Sequence, residues 1–465
     1  MVSSSVENLI LEIDNSSVTD YKLKNGFILW AQVRYSLYKE LMLLKQDSSH
    51  GDSLISRSKH FFVKLLLQKL VFVISHWYEP KRKKKYDCLI FNSSAACYKD
   101  TSGVFKSKVN GFFANFKHLR ILNFFQVING TYYQKYNAPF LYHEVTMAKA
   151  GIKASLSEKV DIEDVKTIQL FIAFLKEKTS QFLVDSFYTK LFSQLMYFTK
   201  NHYKLCDEYY TLLKDTAPKF VVIEDANYGG GDKATLVWCA NNMGITTIEV
   251  QHGTFDVAFC YGTKLIKDVD FSKHKTSVLL TMGRYWSSYA KISSRIYAIG
   301  YPYLEEKVKS VFPKDANTIL FISQGAVTKE LWDIAISLSK NVANKIIYRL
   351  HPNEIIDTYP EPSTENLVIN KEGDLYELLA SSSCVVGSYS TVLFEALLFE
   401  KSIFIHRNNL SDEYMPESLG MRFNSAQDLA EKLSYERVSS SDIDLFWALG
   451  WEKNLANMNQ IEKLW

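Results

Sequence analysis

The chain has 465 residues, 47% of them hydrophobic and 14% aromatic, with a formal net charge of +3. That length exceeds one hydrophobic core, and the composition is that of an ordinary globular protein, which excludes disordered and fibrous classes. The small net charge, with no zinc knuckle, RNA-binding sheet signature or arginine-rich arm, leaves no footprint for nucleic acid. Six cysteines are scattered without a CxxC pair. They read as small buried hydrophobes in a reducing compartment, so a cytoplasmic location is expected. The N-terminus has no basic region followed by an apolar core, and no run of 18 uncharged apolar residues occurs, so neither a signal peptide nor a spanning helix is expected.

Residues 1–85 read as an N-terminal helical segment, with Trp30, Val33, Leu37 and Leu41 at helical spacing. Within it, Phe61 to Tyr78 is strongly apolar and precedes Lys81-Arg82-Lys83-Lys84-Lys85. An apolar face beside a polybasic cluster suits an anionic leaflet, which predicts peripheral contact with the cytoplasmic face of the inner membrane. The competing reading is a helix packed on its own domain beside a solvated basic loop.

From residue 86 the pattern changes to short apolar runs. Cys88 to Phe91, Leu119 to Leu122, Phe220 to Ile223 and Ile245 to Val250 predict strands, with long helices over 155–215. The Gly229-Gly230-Gly231 loop and a helix from Lys233 to Met243 link two of these strands into a βαβ unit. Val278 to Thr281 and Arg295 to Ile299 complete a first Rossmann-like domain over 86–305. A second series begins at Thr318 and runs through Ile346 to Leu350, Leu367 to Ile369, Cys384 to Gly387 and Ser402 to Ile405. It predicts a second Rossmann-like domain with C-terminal helices over 306–465. The expected fold is α/β, with two doubly wound domains facing across a cleft.

Two histidines end buried strands beside Gly or Pro: His252 in Gln251-His252-Gly253, and His351 in His351-Pro352. Ligands in open α/β sheets bind outside the carboxyl ends of the strands, where both imidazoles lie. Glu224 and Asp225 end another strand, and neighbouring acids can raise one pKa enough for a general base. Asp225 is the expected base, with Glu224 and His252 as alternatives. His351, a charge stabiliser at the donor phosphates, completes the catalytic set. Ser388, Ser390 and Thr391 open a helix after a buried strand, an anion site suited to a nucleotide phosphate, with Glu395 one turn on for ribose hydroxyls. Arg349 and Pro352 are placed on the nucleotide side, and Gly229, Gly230, Gln251 and Gly253 on the acceptor side. The alternative for each is structural: a capped helix, a solvated turn or a strand end.

Gln251-His252-Gly253, Gly300-Tyr301-Pro302, His351-Pro352 and Ser388 to Glu395 occur in that order. From about residue 86 onward the chain resembles GT-B glycosyltransferases of bacterial capsule and lipopolysaccharide assembly and, more loosely, teichoic-acid glycerophosphotransferases. Glu224-Asp225-Ala226, His351-Pro352 and Ser390-Thr391 are similar to the D/E-D/E-G, HP and serine–threonine motifs of bacterial sialyltransferases and Kdo transferases. Ala226 departs from the glycine of that pattern. The resemblance implies an inverting transferase that needs no metal or other cofactor, with 86–305 as its acceptor domain and 306–465 as its nucleotide-sugar-binding domain. Its donor would be a CMP-activated ulosonic acid such as sialic acid, a related nonulosonic acid or Kdo. The acceptor would be a surface glycan or lipid-linked glycan. The alternatives are a CDP-alcohol polyol-phosphate transferase with His252 as base, a nucleotide-sugar epimerase, and a non-catalytic assembly protein.

Overall fold

Segments rich in β-branched and aromatic residues form the strands of a parallel sheet whose central members are buried throughout. In a computed structural model they are β1 Cys88–Asn92, β4 Ile121–Phe125, β5 Phe140–Tyr142, β6 Phe220–Ile223, β7 Thr246–Val250, β8 Val278–Thr281 and β9 Arg295–Ala298. Between β1 and β4 lies a small antiparallel pair, β2 Cys97–Lys99 and β3 Phe105–Ser107. The structure describes residues 3–45, 80–93, 97–99, 102, 104–109, 112–113, 116, 118–126, 139–157, 159–227, 230–253, 261–311, 317–351, 354–356, 359–360, 362, 364–433 and 443–463. The apolar stretch 61–78 on which the membrane expectation rests lies outside them, and among the described residues no helix is long and apolar enough to cross a membrane.

The chain divides into two units. The first comprises 1–281, 287–298 and 452–465, and the second comprises 282–286 and 299–451. The first carries a parallel sheet of order β5-β4-β1-β6-β7-β8-β9. The second carries β10 Thr318–Ile322, β11 Lys345–Arg349, β12 Leu367–Asn370, β13 Cys384–Gly387, β14 Ser402–His406 and β15 Met421–Phe423. Their order is β12-β11-β10-β13-β14-β15, again all parallel. Two doubly wound parallel sheets with helical crossovers make an α/β chain. Strands β2, β3, β5 and β15 have no counterpart in the sequence reading. Each is only three residues long, too short to display a period.

The N-terminal helices are integral to the first unit. Ser3–Asp14 and Leu29–Lys45 contribute Ile10, Ile13, Trp30, Val33 and Leu37 to one core with Val221, Ile223, Leu236 and Val237. The helical stripe read from Trp30, Val33, Leu37 and Leu41 is the buried face. A buried ion pair anchors it. Arg34 Nη2 lies 3.0 Å from Asp14 Oδ2, and Trp30 Nε1 donates to Asp14 Oδ1 at 2.8 Å. Thr263 Oγ1 donates to Asp14 Oδ2 at 2.9 Å, and Arg34 Nη2 donates to Gly262 O at 2.7 Å. The pair therefore holds the far end of the segment that begins at His252. In the second unit, Gly300 has φ +98°, and an added Cβ would sit 2.3 Å from Ala448 O, so no other residue fits.

Burial would raise the Asp14 pKa, but the Arg34 guanidinium outweighs it and holds the carboxyl below its usual value. Asp14→Asn strands a buried guanidinium and should destabilise the first unit by about 3–5 kcal/mol in urea unfolding followed by tryptophan fluorescence. The gap should be full at neutral pH. It should close as pH falls through the depressed carboxyl pKa, because the wild type then loses the same charge.

Candidate active site

Strand β6 ends at Ile223, and the chain turns through Glu224 and Asp225. Asp225 takes φ 58°, a left-handed conformation that Asp tolerates better than most side chains. The neighbouring strand β7 pairs with β6 in register Val222↔Ile248 and ends two residues before His252. Adjacent parallel strands thus deliver both groups to one sheet edge. His252 Nδ1 lies 2.8 Å from Asp225 Oδ1, and Lys233 Nζ lies 3.3 Å from Asp225 Oδ2. Lys233 comes from the first turn of the helix Gly231–Asn242.

Two more carboxyls line this edge. Glu224 is 2% exposed, and its Oε2 accepts from the Ser93 backbone N–H at 3.0 Å and from the Ser93 hydroxyl. Glu249, in β7, is wholly buried. Its Oε2 accepts from Asn227 N at 3.0 Å and its Oε1 from Tyr261 Oη at 2.8 Å. Burial raises the pKa of Glu224, and the Asp225 charge adds to it, against the Ser93 donors. Burial pushes Glu249 up to about 7 despite Tyr261 and His252. Asp225 goes the other way. Its burial is outweighed by His252 and Lys233, which bring it down to about 2. Burial alone would lower His252, but Asp225, Glu224 and Glu249 together outweigh that cost and raise it. The ionised Asp225 is thus the main negative charge beside the imidazole, and Glu224 and Glu249 add to it when ionised.

The acceptor-side residues divide. Gln251 is buried, and its Nε2 donates to Gly253 O at 2.7 Å, shaping the turn that carries His252. Gly230 has φ +85° and caps the helix Gly231–Asn242, and Gly231 N donates to Gln32 Oε1 at 2.7 Å. Gly229 lies outside the described residues.

In the second unit, Ser390 is the N-cap of the helix Thr391–Leu398, its Oγ accepting from Val392 N at 3.3 Å. Ser388 is fully buried, and its Oγ accepts from Asn408 Nδ2 at 2.8 Å. Both hydroxyls thus have partners within the protein. Thr391 is the first helical residue, and Glu395 follows one turn later beside Tyr376, whose pKa burial raises and the Glu395 charge raises further. Arg349 turns toward the neighbouring strand, donating to Asn370 Oδ1, to Glu372 O at 2.6 Å and to Gly373 O at 3.1 Å. That guanidinium is tied to the end of β12. Pro352 lies outside the described residues.

His351 is half-buried, and its backbone N–H donates to Glu354 Oε2 at 2.6 Å. Glu354 also accepts from Ser323 Oγ at 2.9 Å and from the Thr328 hydroxyl. One carboxylate therefore joins the ends of β10 and β11 around His351. The sequence reading passed over Glu354, Lys233 and Glu249. Glu354 stands three residues after His351, the reach of a side chain closing on its own turn. Glu249 is an acid inside a buried β-branched run, a signal in itself because such a charge needs partners. Among the described residues, no group of three or more His, Cys, Asp or Glu side chains is arranged to hold a metal ion.

No family model and no curated protein matches this sequence. Several solved structures do. One is the wall teichoic acid polymerase TagF soaked with CDPG, at 15% identity, 88% of this chain, 98% of that chain and a TM-score of 0.44. Another is the glycotransferase of kitacinnamycin, at 8% identity, 82% of this chain, 99% of that chain and a TM-score of 0.48. The UDP-GlcNAc 2-epimerase from Methanocaldococcus jannaschii matches at 11% identity, 81% of this chain, 99% of that chain and a TM-score of 0.44.

Glu354→Ala removes the acceptor shared by His351 N–H, Ser323 and Thr328. The expected loss is about 1–3 kcal/mol, the desolvation penalty of donors left unpaired. Urea unfolding of the full chain, read by tryptophan fluorescence for the Trp332 environment, measures it.

Proposed function

We propose that the chain is a glycosyltransferase in which His252 is the general base and Asp225 its orienting partner. The observation that carries this reading is the 2.8 Å pair between His252 Nδ1 and Asp225 Oδ1 at the edge of β6 and β7. A base needs a pKa near the working pH. A carboxylate brought down to about 2 is a poor proton acceptor, whereas an imidazole raised by its acids is a good one. We therefore move the base from Asp225, where the motif resemblance places it, to His252. The Asp225 charge, 2.8 Å from Nδ1, stabilises the imidazolium that forms, as the acid of a catalytic triad does.

In the transfer, the acceptor hydroxyl gives its proton to His252 Nε2. Its oxygen bonds to the anomeric carbon, and the bond from that carbon to the donor's phosphate oxygen breaks. The electron pair leaves with the nucleotide phosphate, and the anomeric centre inverts. His351 and the segment Ser388 to Glu395 are the proposed nucleotide side, with no metal in the step. The motif set favours a CMP-activated ulosonic acid as donor and a bacterial surface glycan or lipid-linked glycan as acceptor. The work would be done in the cytoplasm, with the basic residues Lys81 to Lys85 at the inner membrane surface.

A histidine base also favours a second reading, polyol-phosphate transfer from a CDP-alcohol. There the acceptor oxygen attacks phosphorus, and the nucleotide monophosphate leaves. Turnover with CMP-, CDP-, UDP- and GDP-sugars and with a CDP-alcohol, measured on the purified full chain, separates the two. Release of nucleotide from none of them sinks both.

His252→Ala should lower turnover with the active donor by about 10²–10⁴-fold. In the wild type, turnover should rise with pH through a midpoint above the ordinary histidine value, because the base must lose its proton. Asp225→Asn removes the charge that raises this midpoint. The limb should move to lower pH while the plateau rate falls. An unmoved limb in the Asn variant would return the base to another group.

A further inference from the structure

We propose that Glu249 is a positioning residue for the His252–Asp225 pair, tying the turn that follows Asp225 to Tyr261, further along the chain from His252. It lies on β7, three residues before His252, and is wholly buried. Two donors from different parts of the chain converge on its carboxylate. Asn227 N, two residues beyond Asp225, donates to Oε2 at 3.0 Å. Tyr261 Oη, nine residues beyond His252, donates to Oε1 at 2.8 Å.

Both donors are themselves held. Asn227 Nδ2 donates to Thr276 Oγ1 at 3.0 Å, and Thr276 N donates back to Asn227 Oδ1 at 3.2 Å. Lys275 Nζ donates to Asn227 O at 3.0 Å. Tyr261 is 1% exposed, and its carbonyl accepts from Lys291 N at 2.6 Å. Each partner is thus a fixed point, and the Glu249 carboxylate bridges the two.

A carboxylate fits this place for a physical reason. A backbone N–H and a phenol O–H must both be accepted at once, away from water, and an ionised acid does so with charge-assisted bonds. A leucine there would leave both donors unpaired. The charges that act on it are those of His252, beyond β7, and Asp225, from the β6 turn. Glu224 acts in turn on His252, Lys233 Nζ lies 3.3 Å from Asp225 Oδ2, and Lys275 Nζ is held on Asn227 O. Burial pushes Glu249 up to about 7, and its charge is one of those that raise His252.

This inference rests on the His252–Asp225 reading, and the test separates the two. The full chain is labelled with ¹³C-histidine, and the His252 resonance is assigned from its loss in His252→Gln. Its titration is followed by NMR in wild type, Glu249→Gln and Tyr261→Phe. Glu249→Gln keeps an acceptor and a hydrogen-bonding end but removes the charge, so the His252 midpoint should fall by roughly half a unit or more. Tyr261→Phe leaves every charge in place and removes only the tie. Amide exchange of Gly262 and Thr263, in the segment that the lost bond held, should then quicken roughly five- to tenfold, the factor for one lost hydrogen bond. If His252 titrates in folded Glu249→Gln as in wild type, and exchange in Tyr261→Phe is unchanged, Glu249 positions nothing. Should Glu249→Gln not fold, the exchange measurement on Tyr261→Phe decides alone. Transfer retained by His252→Gln, with both shifts present, removes the base assignment and leaves the tie standing.

Discussion

Three acids, Glu224, Asp225 and Glu249, surround one imidazole at the edge of the first sheet, and the rest of that unit is arranged to make this tolerable. Buried carboxylates repel each other and are costly to ionise. The shell solves this unevenly. Asp225 takes the two cations, His252 and Lys233, and stays charged. Glu224 leans on Ser93, and Glu249 on Asn227 and Tyr261. In the proposed reaction the same uneven division separates roles: the strongest acid steadies the imidazolium, the imidazole exchanges the proton, and the two weaker acids support.

The strands that deliver these groups were legible because buried parallel strands write themselves as continuous hydrophobic runs. Phe220 to Ile223 and Ile245 to Val250 needed no tertiary information. That both acids and both histidines stand at strand ends was legible too. Which acid meets which histidine was not, because it depends on β6 lying beside β7, a long-range pairing. Arg349 shows the limit from the other side. It sits two residues before His351, yet it is held on the carbonyls of Glu372 and Gly373. Side-chain alternation along a strand decides that, and one residue of register would reverse it.

The N-terminal helices read as an appended segment because their stripe could pack on anything apolar. In the structure their polar residues are as important as the stripe. Asp14 and Arg34 close on Gly262 and Thr263, while Gln32 accepts from Gly231 at the head of the helix that carries Lys233. One helical hairpin thus reaches both the far end of the His252 segment and the start of the Lys233 helix. Packing and polar contacts act together here: the burial of Trp30 and Leu37 holds the helix still enough for Arg34 and Gln32 to be accurate.

Asp225 adopts φ 58°, a conformation in which glycine meets no steric penalty and aspartate does. Glycine there would relax the turn but leave His252 and Lys233 without the anion between them, and breaking such a pair costs more than a left-handed aspartate does. A library sorted by heat resistance at neutral pH would therefore keep the aspartate, and one sorted in strong acid, where the carboxyl is protonated, would let it go.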